Sequence, residues 1–214
     1  MANLIISGIM SLGALAVNGP TIVACLKRKN TDGISFAAQK QEFYTAIFSL
    51  AYNYRTLPLN QYLEGIIAMI QTCILVVLIW IFNKSKVGSI FSDLVGFLIT
   101  AAVCFQFSSV LTIIGCSSDS KLCSIEILTT ISTIILISAR ATQILENTNQ
   151  GSMGNISISQ PVVLLVGAGM RIYTLISAEN IVWGALIPFL ISAFLTLVSL
   201  VQFFIYSGRK SKST

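Results

Sequence analysis

The sequence predicts an all-α polytopic membrane protein, with seven transmembrane helices arranged as two parallel three-helix repeats joined by a linker helix. Three observations carry that expectation. First, the 214 residues are 55% hydrophobic and only 10% charged, with a mean hydropathy of +0.84. A soluble domain carries roughly a quarter charged residues, so 13 basic and 8 acidic side chains cannot furnish a water-facing surface. Second, seven apolar runs long enough to cross a bilayer lie between polar breaks. Third, a short motif recurs at fixed spacing in the two halves, the signature of an internal repeat.

The runs place spans at 4–26, 34–54, 62–82, 88–114, 122–145, 156–177 and 181–206. They leave no stretch for a soluble catalytic domain. Span two opens on Gln39, Lys40, Gln41 and Glu42, which would also suit an amphipathic connector in a six-span chain. The regular spacing and the repeat favour seven.

Short-loop basic residues set orientation. Lys27, Arg28, Lys29, Lys84, Lys86, Arg209, Lys210 and Lys212 all fall on one side of a seven-span chain, against Arg55 and Lys121 on the other. The bias predicts a cytosolic C-terminus and a lumenal or external N-terminus. Met1–Ile9 has no basic n-region and reads as the start of span one, not as a removable signal peptide. The basic tail 207–214 carries Lys210 and Lys212 in the pattern of a dilysine retrieval signal for the endoplasmic reticulum, which any basic membrane-flanking tail can also produce. Two sequons, Asn83-Lys84-Ser85 and Asn155-Ile156-Ser157, fall on the cytosolic side and are expected to go unused.

With no histidine in the chain, Ser-His-Asp and Cys-His nucleophile systems and His-based zinc sites are excluded. The five cysteines form no CxxC pair, so neither a redox dithiol nor a thiolate metal site is expected. No enzyme activity, catalytic residue, metal or cofactor is therefore expected. Cys116 and Cys123 bracket a polar loop on the non-cytosolic side, where an oxidising compartment would permit a disulfide. Two free cysteines at helix ends fit the sequence equally well. Cys25, Cys73 and Cys104 lie within apolar runs as small packing residues.

The repeat is compact. Pro20-Thr21-Ile22 near the end of span one is followed, fifteen residues after Pro20, by Ser35 of Gly33-Ile34-Ser35. Thr142-Gln143-Ile144 near the end of span five is followed, fifteen residues after Thr142, by Ser157 of Asn155-Ile156-Ser157. The units 20–35 and 142–157 are 122 residues apart, four spans on, so they share an orientation. The first repeat is then 4–82, the linker helix 88–114 and the second repeat 122–206. In parallel-repeat transporters the substrate path lies between the halves near mid-membrane, and broken helices are tolerated there because protein or a wet cavity satisfies their freed backbone.

The paired units resemble the PQ-loop of the PQ-loop/SWEET superfamily, a proline-glutamine pair followed by a polar loop and Gly-Leu-Ser. Within it the chain resembles the mannose-P-dolichol utilization defect protein family, in order from about Leu12 to Tyr206. The matching residues are Gln41-Glu42, Leu63-Glu64-Gly65, Gln71-Thr72, Arg140 with Gln143, and Met170-Arg171-Ile172-Tyr173-Thr174. The chain departs from the motif in both halves: Thr21 replaces glutamine after Pro20, and Thr142 replaces proline before Gln143. The departure weakens a two-hinge rocking mechanism and leaves room for a non-transporting or scrambling role.

An ionisable group inside a span costs on the order of 2.5–3.5 kcal/mol and is functional by default. Glu42, Arg140 and Arg171 are the candidates. Glu42, about 12 Å from the cytosolic helix end, and Arg140, about 6 Å from it, are placed to pair. Arg171 lies near the opposite face and needs another partner. Both arginines could instead snorkel to an interface, with Glu42 neutral or capping. Facing a cavity, the two guanidiniums would suit a phosphate. What the resemblance implies is an endoplasmic-reticulum protein, N-terminus lumenal and C-terminus cytosolic. It would make dolichyl-phosphate-mannose and dolichyl-phosphate-glucose available to lumenal glycosyltransferases for N-glycosylation and glycosylphosphatidylinositol assembly. Its partners would be membrane lipids, dolichyl-phosphate-sugars and those transferases, with no nucleic acid. A PQ-loop carrier of a sugar or amino acid, and a chaperone or scaffold for glycosyltransferases, are the alternatives.

Overall fold

The computed structural model describes residues 2–56, 59–83, 87–114, 126–176 and 183–206. They form seven helices: α1 Ala2–Arg28, α2 Phe36–Thr56, α3 Leu59–Phe82, α4 Val87–Ile114, α5 Glu126–Gln150, α6 Ser159–Ile176 and α7 Trp183–Tyr206. No strand occurs among the described residues. Three helices, α3, α4 and α7, contain windows long and apolar enough to cross a bilayer, at mean hydropathies of 2.6, 1.9 and 2.1. Cys116, Cys123, Lys210 and Lys212 lie outside the described residues.

Each helix ends for a local reason. Lys29 adopts φ 54° and stops α1, as a left-handed residue does after a helix C-terminus. Ser35 caps α2, its hydroxyl accepting from the Ala38 N–H at 3.4 Å. Ser157 does the same for α6, accepting from the Ser159 N–H at 3.4 Å. The first residue of α6 is therefore Ser159, not Ile156. The missing N–H of Pro161 falls in its first turn, where a helix has no internal partner to lose. Pro161 is thus accommodated in the first turn of α6. Helix α5 runs to Gln150, beyond the predicted end at 145. Its last turn is held by side chains bonding back along the helix, Thr148 to the Ile144 carbonyl at 2.9 Å and Gln150 to Glu146 at 2.7 Å.

Helix α2 is central, packing on α3, α4 and, most extensively, α5. Helix α1 packs on α3 and α6, and α7 packs on α5 and α6. One apolar cluster gathers Cys25, Ile34, Leu75, Leu78 and Ile79 below the α1–α2 turn. A second gathers Ile47, Ala51 and Cys104 between α2 and α4, flanked by Phe97, whose ring lies tilted against Phe43 at 4.5 Å and edge-to-face with Tyr44 at 5.1 Å between centroids. Lys40 adds an ion pair with Asp93 at 3.0 Å that ties α2 to α4. The polarity is inverted relative to a soluble domain. Asn18, Gln71, Asn147 and Gln202 are buried, while Leu98, Phe194 and Phe204 are more than 60% exposed. Such a surface suits hydrocarbon, with polar groups turned inward.

The turn after α1 and the turn after α5 meet backbone to backbone. Gly33 (φ 83°) and Gly154 (φ 53°) face each other so closely that a Cβ on Gly33 would strike the Met153 carbonyl and one on Gly154 the Asp32 carbonyl. The Asn155 N–H donates to the Asp32 carbonyl at 2.7 Å. The Asn155 amide donates to the carbonyl and side-chain oxygens of Asn30 at 2.8 and 2.6 Å, and Arg28 donates to the Asn155 Oδ1 at 2.9 Å. The sequon asparagine is thus enclosed by its own fold. Gly151, by contrast, also has positive φ (60°) but open space around its missing side chain.

That contrast makes a controlled test. Gly151→Ala should cost only the left-handed backbone penalty, about 1–2 kcal/mol. Gly154→Ala should cost more, because the collision with Asp32 adds to the same penalty, and should lower the melting temperature further in detergent. Equal losses for the two variants would show that the glycine contact contributes nothing.

Candidate functional site

The apposed turns present side chains to one another in a crossed arrangement. Gln143 on α5 reaches the α1–α2 turn, its Oε1 accepting from the Ser35 N–H at 3.0 Å and its Nε2 donating to the Gly33 carbonyl at 2.8 Å. The same amide nitrogen donates to Asn147 Oδ1 at 2.8 Å, and Asn147 donates to Gln202 on α7 at 3.2 Å. Thr21 on α1 reaches the α5–α6 turn, its hydroxyl accepting from the Ser157 N–H at 3.3 Å. The second residue of each predicted unit therefore bonds to the serine that closes the other unit. The preceding positions behave differently. Pro20 is exposed within α1, whereas Thr142 bonds back to the Ser138 carbonyl at 2.9 Å and across to Gln41 at 3.4 Å.

Beside these crossed bonds, α2 and α5 hold opposite charges. Arg140 Nη1 lies 3.3 Å from Glu42 Oε1, with side-chain exposures of 15% and 12%. The expected pairing of Glu42 with Arg140 is what the structure contains. Arg171 belongs to α6, and its side chain lies outside the described residues. Residues at i and i+3 share a helix face, so Gln39 and Glu42 look the same way, as do Arg140 and Gln143. Lys40, about 100° around α2 from Gln39, turns to Asp93 instead.

Glu42, Arg140, Gln143 and Thr21 line one cleft, together with Gln39, Asn147, Gln160 and Thr196. Its cavity measures about 30 Å³, room for about two water molecules. This is a closed arrangement. Two helix beginnings open onto it, α2 through Ile34 and Gln39, and α6 through Ile156 and Gln160. Each contributes the partial positive charge of a helix N-terminus. Arg140 Nε and Gln39 Oε1 are buried without a hydrogen-bond partner. No cluster of His, Cys, Asp or Glu suited to a metal ion occurs among the described residues.

Gln39, Asn147, Gln160 and Thr196 were not among the residues predicted for the site. Gln39 carried a signal, lying one helical turn before Glu42, and Asn147 another, four residues after Gln143. Gln160 and Thr196 carried none, because their relevance depends on how α6 and α7 pack. No protein-family model matches the chain.

The pair lends itself to a double-mutant cycle. Removing one partner of a fully buried ion pair strands the other and costs about 3–5 kcal/mol, and this pair, 15% and 12% exposed, should cost less than that. Glu42→Gln and Arg140→Gln should each destabilise the protein, and the double variant should lose less than the sum of the two in thermal unfolding. Strict additivity would mean that the charges do not interact in the folded protein.

Proposed function

We propose that the chain is a non-enzymatic, seven-span membrane protein of the endoplasmic reticulum that binds lipid-linked sugar phosphates in the cleft between its halves. Its halves would be two parallel three-helix repeats of the PQ-loop type, 4–82 and 122–206. The crossed bonds of Thr21 to Ser157 and Gln143 to Ser35 support that reading, as does the parallel between α1 packing on α3 and α5 packing on α7. The observation that carries the ligand class is a guanidinium whose Nε is buried and unpartnered, set in a cleft onto which two helix beginnings open. Guanidinium forks match phosphate oxygens bidentately, and helix N-termini favour the same anions.

On this reading Glu42 is an exchangeable counter-charge. It holds Arg140 while the cleft is closed and yields it to the phosphate when α2 and α5 part. The cavity has to widen for any headgroup, because about two waters fill it as it stands. The resemblance to the mannose-P-dolichol utilization defect family names the ligands as dolichyl-phosphate-mannose and dolichyl-phosphate-glucose. They would be presented or scrambled for lumenal glycosyltransferases, with Arg171 as a further candidate contact. A second reading has one observation in its favour: amides and hydroxyls such as Gln39, Gln160 and Thr196 outnumber charges in the cleft, which suits a neutral polyol carried as a soluble solute.

Reconstitution into vesicles with a labelled mannosyl-phosphoryl-polyprenol separates these readings. The wild-type chain should accelerate transbilayer exchange of the labelled lipid. Arg140→Gln should slow it by about tenfold or more, the scale of one lost charge-assisted contact. Flux of free sugar with no effect on the lipid would instead favour a solute carrier. Full complementation of deficient cells by correctly localised Arg140→Gln would point to a scaffold.

A further inference from the structure

Two atoms in the cleft have complementary needs. Gln39 is 4% exposed, and its side-chain carbonyl is buried with no donor. Arg140 Nε is buried with no acceptor, although Nη1 of the same guanidinium is engaged by Glu42 at 3.3 Å. A buried polar atom left without a partner is costly, and each one calls for an explanation, such as a ligand that completes it. Both residues line the same cleft. Gln39 stands one helical turn from Glu42 on α2, about 5–6 Å between Cβ atoms, on the helix face that also carries the partner of Arg140.

The two atoms ask for different things. Arg140 Nε requires an acceptor, and the Gln39 oxygen requires a donor, which a fully ionised phosphate does not have. A bare phosphate would satisfy Arg140 and set oxygen against oxygen at Gln39. A neutral polyol could serve both atoms, since a hydroxyl donates and accepts, so the choice of a phosphate comes from the anion-binding reading above and not from these two atoms. A phosphodiester whose second substituent bears hydroxyl groups satisfies both. We infer that Gln39 is a specificity-determining residue, accepting a hydrogen bond from a hydroxyl of the group esterified to the bound phosphate. The cleft thereby favours a hydroxylated phosphodiester over a plain one. The inference rests on the anion-binding reading above.

The test uses three short-chain lipid probes and the purified full-length chain in detergent, with affinities from isothermal titration. They are citronellyl mannosyl phosphate, citronellyl methyl phosphate and citronellyl phosphate. The first two carry the same charge and differ in hydroxyl groups. Wild type should bind the mannosyl diester about three- to tenfold more tightly than the methyl diester, the range of one neutral hydrogen bond. Gln39→Met keeps the length of the side chain and removes the acceptor; it should bring that ratio to one while leaving the methyl diester's affinity within about twofold. A wild-type ratio of one, or a ratio that survives in Gln39→Met, overturns the role of Gln39. The wild-type ratio requires no variant to fold. If neither diester nor citronellyl phosphate binds wild type, the anion reading itself fails and takes this inference with it. Binding of the methyl diester with no preference removes only Gln39.

Discussion

The contact between Gly33 and Gly154 is the constraint from which the rest of the architecture follows. Two backbone turns can approach this closely only where neither carries a side chain, and both glycines also hold positive φ angles. Once the turns are in register, Asn155 can bond Asp32 and Asn30, and Gln143 can bond Gly33 and Ser35. Those bonds set the height of α5 against α2, and that height decides whether Arg140 meets Glu42. A shift of one residue along α5 would rotate Arg140 by about 100° and leave two charges buried apart.

The interior this builds sets buried polar groups beside its apolar clusters, and the exterior carries many exposed large apolar side chains. In water such a distribution would unfold the chain, because exposed Leu98 and Phe204 would drive aggregation while buried Asn147 and Gln202 would seek solvent. In hydrocarbon the preference reverses. Side-chain amides then have nowhere to go but one another, and the Gln143–Asn147–Gln202 chain is the outcome. Gln202 closes it by donating to Thr148 and the Ile144 carbonyl at 2.8 and 3.0 Å. Helices α5 and α7 and the α1–α2 turn are thus joined at one end by groups that would be indifferent to each other in water.

Much of this could be read from the residues alone, and the exceptions are informative. The seven helices follow from apolar runs, since the period and length of such runs depend only on local sequence. The ends of α5 and α6 do not follow. Glu146, Asn147 and Thr148 look like loop residues until Gln202 is known to lie beside them, and Ser157 becomes a cap only when the turn is placed. The Glu42–Arg140 pair was accessible because depth along a helix can be counted from its ends. Asp93 was not: a lone carboxylate in an apolar run gives no hint that Lys40 sits on the neighbouring helix. Gln39 was visible only as part of a polar break, because whether a glutamine is satisfied is a property of its surroundings and not of its spacing.

Threonine at position 21, opposite glutamine at position 143, makes the joint between the turns lopsided. Gln143 grips the α1–α2 turn with one accepted and one donated bond, as a strand of sheet would. Thr21 touches the α5–α6 turn through one long bond from the Ser157 N–H. What secures the α5–α6 turn is instead Asn155, bonded to Asp32, Asn30 and Arg28 at 2.6–2.9 Å. The two sides of the joint are thus fastened by different residues, one by a single glutamine reaching in from its helix and the other by an asparagine within the turn itself.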